Sequence, residues 1–253
     1  MLAGLFCVCQ LSQAAESSVV SDGISVVGQG TSKKFLIAGK TVHDVPEGAA
    51  IVDFSISPLI KFPANSINKV KGISLGAYNF TSSVHGIKAG IYNLDYGDSV
   101  ALQAGGINKE VKDLFGAQLA IVGNAVDGSF KGVQAGLLYN TCFGEYGYGL
   151  QFAAANLNET GFGGISAGAI NFDAGERDGL QAGLINFAGL LHGAQFGLFN
   201  FAGDQKSGGG FCRGIQVGLI NSCAGSLQGV QVGVLNTAQS SALPWSLGIN
   251  VGF

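Results

Sequence analysis

The chain has 253 residues, with 42 glycines, only 4 prolines, 11% charged residues and a formal net charge of −3. Abundant glycine without matching proline excludes a collagen-like or low-complexity disordered chain, and the absence of any Lys/Arg cluster or aromatic–basic interleaving excludes a nucleic-acid partner. Gly, Gln and Asn punctuate every apolar run, so none approaches the ~18 residues of a membrane-spanning helix. The low charged fraction leaves two options: an exterior that meets lipid, or one wetted by Gln, Asn, Ser and Gly.

Residues 1–15 read as a signal peptide, with an apolar run from Met1 to Leu11 and small residues suited to cleavage near Ala14 to Glu16, although no basic segment precedes the apolar run. Export removes Cys7 and Cys9 and keeps Cys142, Cys212 and Cys223, an odd number without a Cys-x-x-Cys pair, which argues against zinc and against a disulfide framework. Residues 16–71 form a non-repetitive β segment with runs at Lys34–Ala38, Ile51–Ser57 and Pro58–Pro63. It is an extra strand pair, a periplasmic segment or a cap on the rest of the chain.

From residue 72 to 253 one phrase recurs eleven times, beginning at Gly72, Gly86, Ala101, Gly116, Gly132, Gly149, Gly164, Gly179, Gly193, Gly214 and Gly229. Its clearest copy is Gly179-Leu-Gln-Ala-Gly-Leu-Ile-Asn186. Such self-similarity identifies a repeat architecture. Numbered from the glycine, apolar residues occupy positions 2, 4, 6, 7 and 9, and small or amide residues occupy 1, 3, 5, 8 and 10. That is strand alternation with one phase slip, the mark of a bulge or bend. Turn-like segments such as Leu94–Ser99 and Asp173–Asp178 separate the phrases.

Two architectures satisfy this pattern. A β-solenoid puts the apolar face inside and stacks Asn as a ladder, whereas a transmembrane barrel turns the apolar face to lipid and lines its lumen with Gly, Gln and Asn. The ~15-residue period suits a membrane strand of about ten residues plus a turn. The two longer loops, at Phe143–Gly149 and Phe201–Phe211, share one parity, as the external loops of a meander do. Trp245, Leu247, Ile249, Val251 and Phe253 alternate to the end, resembling the assembly strand of bacterial outer-membrane barrels, and bring the strands to twelve. The expected fold is all-β: an antiparallel meander closed into a transmembrane β-barrel of about 12–14 strands, with a β-solenoid as the alternative. In a barrel Cys212 and Cys223 lie at opposite ends of one strand, far beyond the ~7 Å Cα limit for a disulfide, whereas a solenoid coil brings them together.

The phrases, the lead-in Ser55–Pro63 and the ending Leu243–Phe253 resemble bacterial surface-repeat proteins built of tandem Gly-Leu-Gln-x-Gly-Leu-x-Asn units. The resemblance covers about four fifths of the chain, with divergent copies at Ala101, Ala120–Asn124 and Ala153–Asn156. It implies a location at the outer membrane or surface of a diderm bacterium, with membrane lipid and the barrel-assembly machinery as partners, and no particular activity.

Candidate chemistry is sparse. His43, His85 and His192 offer no chelating spacing, and no nucleophile elbow, phosphate loop or metalloprotease motif occurs; Gly208–Gly210 reads as a flexible loop. Glu110 and Asp113, and Asp173, Glu176 and Asp178, read as hydrated turn acids. No cofactor, metal or catalytic role is expected, and the surface ligand is unknown. The recurring amides are the structural candidates. Gln103, Gln118, Gln134, Gln151, Gln181, Gln195, Gln216 and Gln231 stand at position 3, with Asn79, Asn93, Asn108, Asn156, Asn171, Asn186, Asn200, Asn221 and Asn236 at position 8. They satisfy one another in ladders or line a polar lumen. The expected protein is non-enzymatic: an outer-membrane barrel of structural, surface-contact or pore type, or alternatively a secreted or surface-tethered solenoid acting as a binding module.

Overall fold

The computed structural model describes residues 24–28, 32–37, 40–46, 49–57, 60–62, 69–144, 146–203, 211–240 and 243–253. The signal segment 1–15 and Gly208–Gly210 lie outside these. Two compact units are present, residues 1–49 and 50–253. In the first, β1 (Ile24–Gly28), β2 (Ser32–Ile37) and β3 (Lys40–Pro46) form an antiparallel sheet in the order β1-β2-β3.

The second unit is a β-solenoid of about 11 turns. Its opening coils are β6 (Lys69–Thr81), β7 (Ser83–Asp95), β8 (Ser99–Glu110) and β9 (Leu114–Val126). Each pairs with the next in parallel, so that Gly72 lies beside Gly86 and Asn79 beside Asn93. The same register carries on through Gly132, Gly149, Gly164, Gly179, Gly193, Gly214 and Gly229. The paired strands trace a closed circuit, but neighbours are parallel and one repeat apart, which is a winding and not a meander.

This corrects the transmembrane-barrel expectation. A meander alternates strand direction, whereas every repeat-to-repeat pair here runs the same way. The phase slip at positions 6 and 7 is the corner of a coil, most visible where β10 (Phe130–Gly136) stops and β11 (Tyr139–Cys142) resumes on the other face. Nine of the eleven copies carry glycine at position 5, where the corner brings neighbouring coils together: a Cβ at Gly183 would stand 2.2 Å from the Gly168 carbonyl oxygen and 2.7 Å from Asn171 Nδ2, while Ala120 and Ala153 hold the position in the other two. The turns between phrases make the opposite corner, all at one edge, so loop parity carries no topological meaning. The bond between Cys212 and Cys223, with Cα atoms 6.0 Å apart, has the short span a coil provides and a barrel strand forbids.

Facing also departs from the solenoid alternative. Gln at position 3 and Asn at position 8 are buried, while the apolar positions 2, 4, 6 and 7 supply exposed Ile, Leu, Val and Phe. The amide-in, apolar-out assignment belonged to the barrel reading; it survives on a different winding. The remaining inward positions, 10 and the second residue before each glycine, build two apolar clusters, one around Phe130, Cys142 and Phe162 and another around Leu191, Cys212, Cys223 and Leu227.

Closing strands end the stack. Strand β4 (Ala49–Ser57) pairs with β6, burying Asp53 and Ser55 and exposing Val52 and Phe54. At the other end β21 (Trp245–Gly252) runs antiparallel to β20 (Ser226–Ala238). Trp245, Leu247, Ile249, Val251 and Phe253 are exposed there, and Asn250 points inward. These five side chains thus belong to a lid on a solenoid, not to a barrel strand.

Candidate functional site

The interior is solid with hydrogen-bonded amides. Asn side chains form one unbroken ladder from Asn79 to Asn236, each Nδ2 donating to the Oδ1 of the next coil's Asn at 2.7–3.0 Å. Most donate their second proton to the position-4 carbonyl of the next coil, as Asn171 does to Ala182 O (3.0 Å) and Asn186 to Phe196 O (2.9 Å). That carbonyl also accepts a backbone N–H across the corner, from Gly168 N to Ala182 O at 3.0 Å and from Gly183 N to Phe196 O at 2.9 Å, so the side chain supplies a donor to its second lone pair. Asn124 and Asn140 belong to this ladder although the phrase numbering passes over them, because one extra residue displaces each from position 8. Aligning the copies on Asn instead of Gly would have found them.

Gln residues form the second ladder. Gln118, Gln134 and Gln151 donate stepwise back to Gln103, and Gln195, Gln216 and Gln231 donate stepwise back to Gln181, all at 2.7–2.9 Å. Gln181, Gln195, Gln216 and Gln231 also cross the coil to backbone carbonyls of Phe187, Phe201, Ser222 and Thr237. These filled ladders leave no lumen of the kind a pore needs.

Where the ladder changes composition, charge enters. Ser166 replaces Gln in its coil, and the guanidinium of Arg177 fills the space, donating to Ser166 Oγ (2.8 Å), Gly164 O (2.8 Å) and Asp173 Oδ2 (3.2 Å) over the Phe162 ring. Burial raises the Asp173 carboxyl to about 6, against the opposing pull of Arg177. Burial likewise lowers the Arg177 pKa. Near the other end Lys88 holds position 3. Its Nζ lies 2.7 Å from Asp95 Oδ1, both side chains fully buried, and also donates to Thr81 Oγ (2.8 Å) and Leu94 O (2.9 Å). Gln103 Nε2 donates to Asp95 Oδ2 (2.6 Å) and Glu110 Oε2 (2.9 Å). Burial first, then the Asp95 charge, pushes the Glu110 carboxyl up to about 9, so it is neutral at pH 7. Asp173 and Glu110, expected as hydrated turn acids, are therefore interior groups. Alternation placed them on the inward phase, but a turn reading hid it.

The exterior divides into a polar corner and an apolar one. At the polar corner Glu176, Asp178 and His192 converge, with all three ligand atoms within 4.8 Å of one another. His192 Nδ1 lies 2.6 Å from Glu176 Oε1 and 3.4 Å from Asp178 Oδ1, and Tyr146 donates its hydroxyl to Asp178 Oδ2 at 2.9 Å. Sequence spacing missed this group because His192 comes one coil later, stacked on Asp178. His192 and His85 sit within strands. The apolar corner is the larger feature. Position 6 exposes Ile91, Ile121, Leu137, Leu184, Leu198, Leu219 and Val234 in a row along the stack, flanked on the two faces by Ile87, Phe152, Phe196 and by Tyr78, Ile185, Phe199. Phe172 and Phe187 stack in parallel at 4.7 Å between ring centroids.

No helix among the described residues is long and apolar enough to cross a membrane. No family model matches the chain, and no curated protein or solved structure matches it significantly; its function is argued from its own geometry.

Proposed function

We propose that this protein is a non-enzymatic binding solenoid of the diderm cell envelope, exported to the surface side of the outer membrane, and that its apolar corner docks on lipid. The row of exposed aliphatic side chains at position 6, present in seven of eleven coils, carries the reading together with its flanking Phe and Ile residues, since an apolar patch this long on a folded protein marks a docking face. A lipid surface suits it for a second reason. Backbone groups entering the apolar boundary must already be paired, and here the coils pair with one another while Asn side chains cover the corner carbonyls. The strip therefore offers side chains without stray donors. None of the exposed side chains of the strip is charged, and the cluster of Glu176, Asp178 and His192 stands at the opposite corner, as the polar face does in interfacial segments that lie on a membrane. The Cys212–Cys223 bond supports an oxidising, extracytoplasmic compartment.

Flotation with phosphatidylethanolamine/phosphatidylglycerol vesicles tests the assignment. The wild-type chain is expected to float with the vesicles. A variant combining Ile121→Ser, Leu137→Ser, Leu184→Ser and Leu198→Ser is expected to stay in the dense fraction with an unchanged circular-dichroism spectrum. Wild-type protein that remains with the dense fraction would refute lipid docking.

A further inference from the structure

Lys88 and Asp95 are placed to react with each other. We propose that they condense into an intramolecular amide, a covalent crosstie joining the two faces of the second coil.

The geometry supplies the parts of the reaction. Lys88 Nζ and Asp95 Oδ1 are 2.7 Å apart and fully buried, a reacting pair held at contact with the entropy of encounter already lost, where effective concentrations are on the order of 10⁵ M or more. Two charges sealed from water are costly even when paired, and a neutral amide removes both. Thr81 Oγ touches both partners: it accepts from Lys88 Nζ at 2.8 Å and donates to Asp95 Oδ1. It can relay a proton from nitrogen to the departing oxygen. Gln103 Nε2 donates to Asp95 Oδ2 at 2.6 Å, where negative charge gathers when the nitrogen adds to the carboxyl carbon.

Atoms and charge balance within the pair. The ammonium starts with three protons and the carboxylate with none. Two protons pass to Oδ1, one directly and one through Thr81, and one stays on nitrogen. The Nζ–Cγ bond forms as the Cγ–Oδ1 bond breaks, water leaves, and no oxidant or co-reactant is needed.

The molecule contains its own comparison. Lys109 Nζ lies 2.7 Å from Asp127 Oδ2, the same distance, but both side chains are about one third exposed. Hydration keeps that pair ionic and withdraws the driving force. The disulfide offers a parallel, because Cys212–Cys223 spans the tenth of eleven coils as Lys88–Asp95 spans the second, so each end of the stack has a tie one coil in.

Mass spectrometry of the purified, denatured full chain after trypsin digestion reads the bond directly. Trypsin does not cut after an acylated lysine. The expected product is one fragment, residues 72–109, uncut after Lys88 and lighter than its sequence by one water, with fragmentation placing the loss between Lys88 and Asp95. Cleavage after Lys71 and Lys109 in the same digest shows that the protease acted. Separate fragments 72–88 and 89–109, each at full mass, would overturn the proposal. Lys88→Arg, which lacks the nucleophilic amine, is expected to give full mass and cleavage after residue 88; a loss of water that persists in it would also overturn the assignment. Thr81→Val is expected to leave a measurable unlinked fraction in a folded chain, and complete linkage would remove Thr81 from the relay.

Discussion

An amide side chain has two donors and an acceptor to satisfy once it leaves water, and stacking one Asn on another at a coil's spacing satisfies them with no partner other than its own repeat. That is why Asn at position 8 can be fully buried and why a shifted copy such as Asn124 slides back into line. Carboxyl groups in the same interior behave differently, because burial favours the proton. The native Glu110 carboxyl titrates near 9 instead of 4.5, and Asp173 near 6 instead of 3.8. Between each ordinary and raised value the folded chain holds a proton that the unfolded chain has released, so folding stability falls as pH rises. Melting temperature is accordingly expected to decline from pH 5 to pH 9, with Glu110→Gln flattening most of the slope above pH 6; thermal melts across a buffer series check it. An unchanged slope in that variant would place the titrating group elsewhere.

Among the elements, the unit is not a strand but a coil: two short strands, a glycine corner and a polar corner. Alternation along the phrase told correctly which side chains share a face, yet the same alternation describes a straight membrane strand and a bent solenoid strand equally well. The distinction lies in the phase slip, where a Cβ at Gly183 would come within 2.2 Å of the preceding coil's backbone and glycine prevails in all copies but those of Ala120 and Ala153. The long step of 21 residues from Gly193 to Gly214 leaves the register of both faces intact. The Cys212–Cys223 bond closes a coil over a sequence separation of 11, short enough that its effect is about 2–3 kcal/mol. Cys212→Ala/Cys223→Ala is expected to lower the urea midpoint by a corresponding amount, with faster amide exchange confined to the coils around residues 211–238.

Across the whole stack, each coil buries its amides only against its neighbours, so stability is a sum of nearest-neighbour terms, and the ends are the weakest points. Amide exchange is therefore expected to be slowest in the middle coils, roughly residues 116–196, and to quicken toward β6 and β20; uniform protection would mean the stack opens as one cooperative block. The apolar strip also exists only at this scale, since it needs side chains from seven of the eleven coils in register. The repeat, its period, the strand character of each phrase and the separation of amides from aliphatic residues were all legible in the amino-acid order, because those are local properties of covalent sequence and alternation. Folding settled the rest: that neighbours run parallel, that the amides fill a solid interior, that Lys88 meets Asp95, and that His192 stacks on Asp178. Contacts one coil apart depend on how the chain turns at its corners, and a period of about fifteen residues is compatible with turning back or winding on.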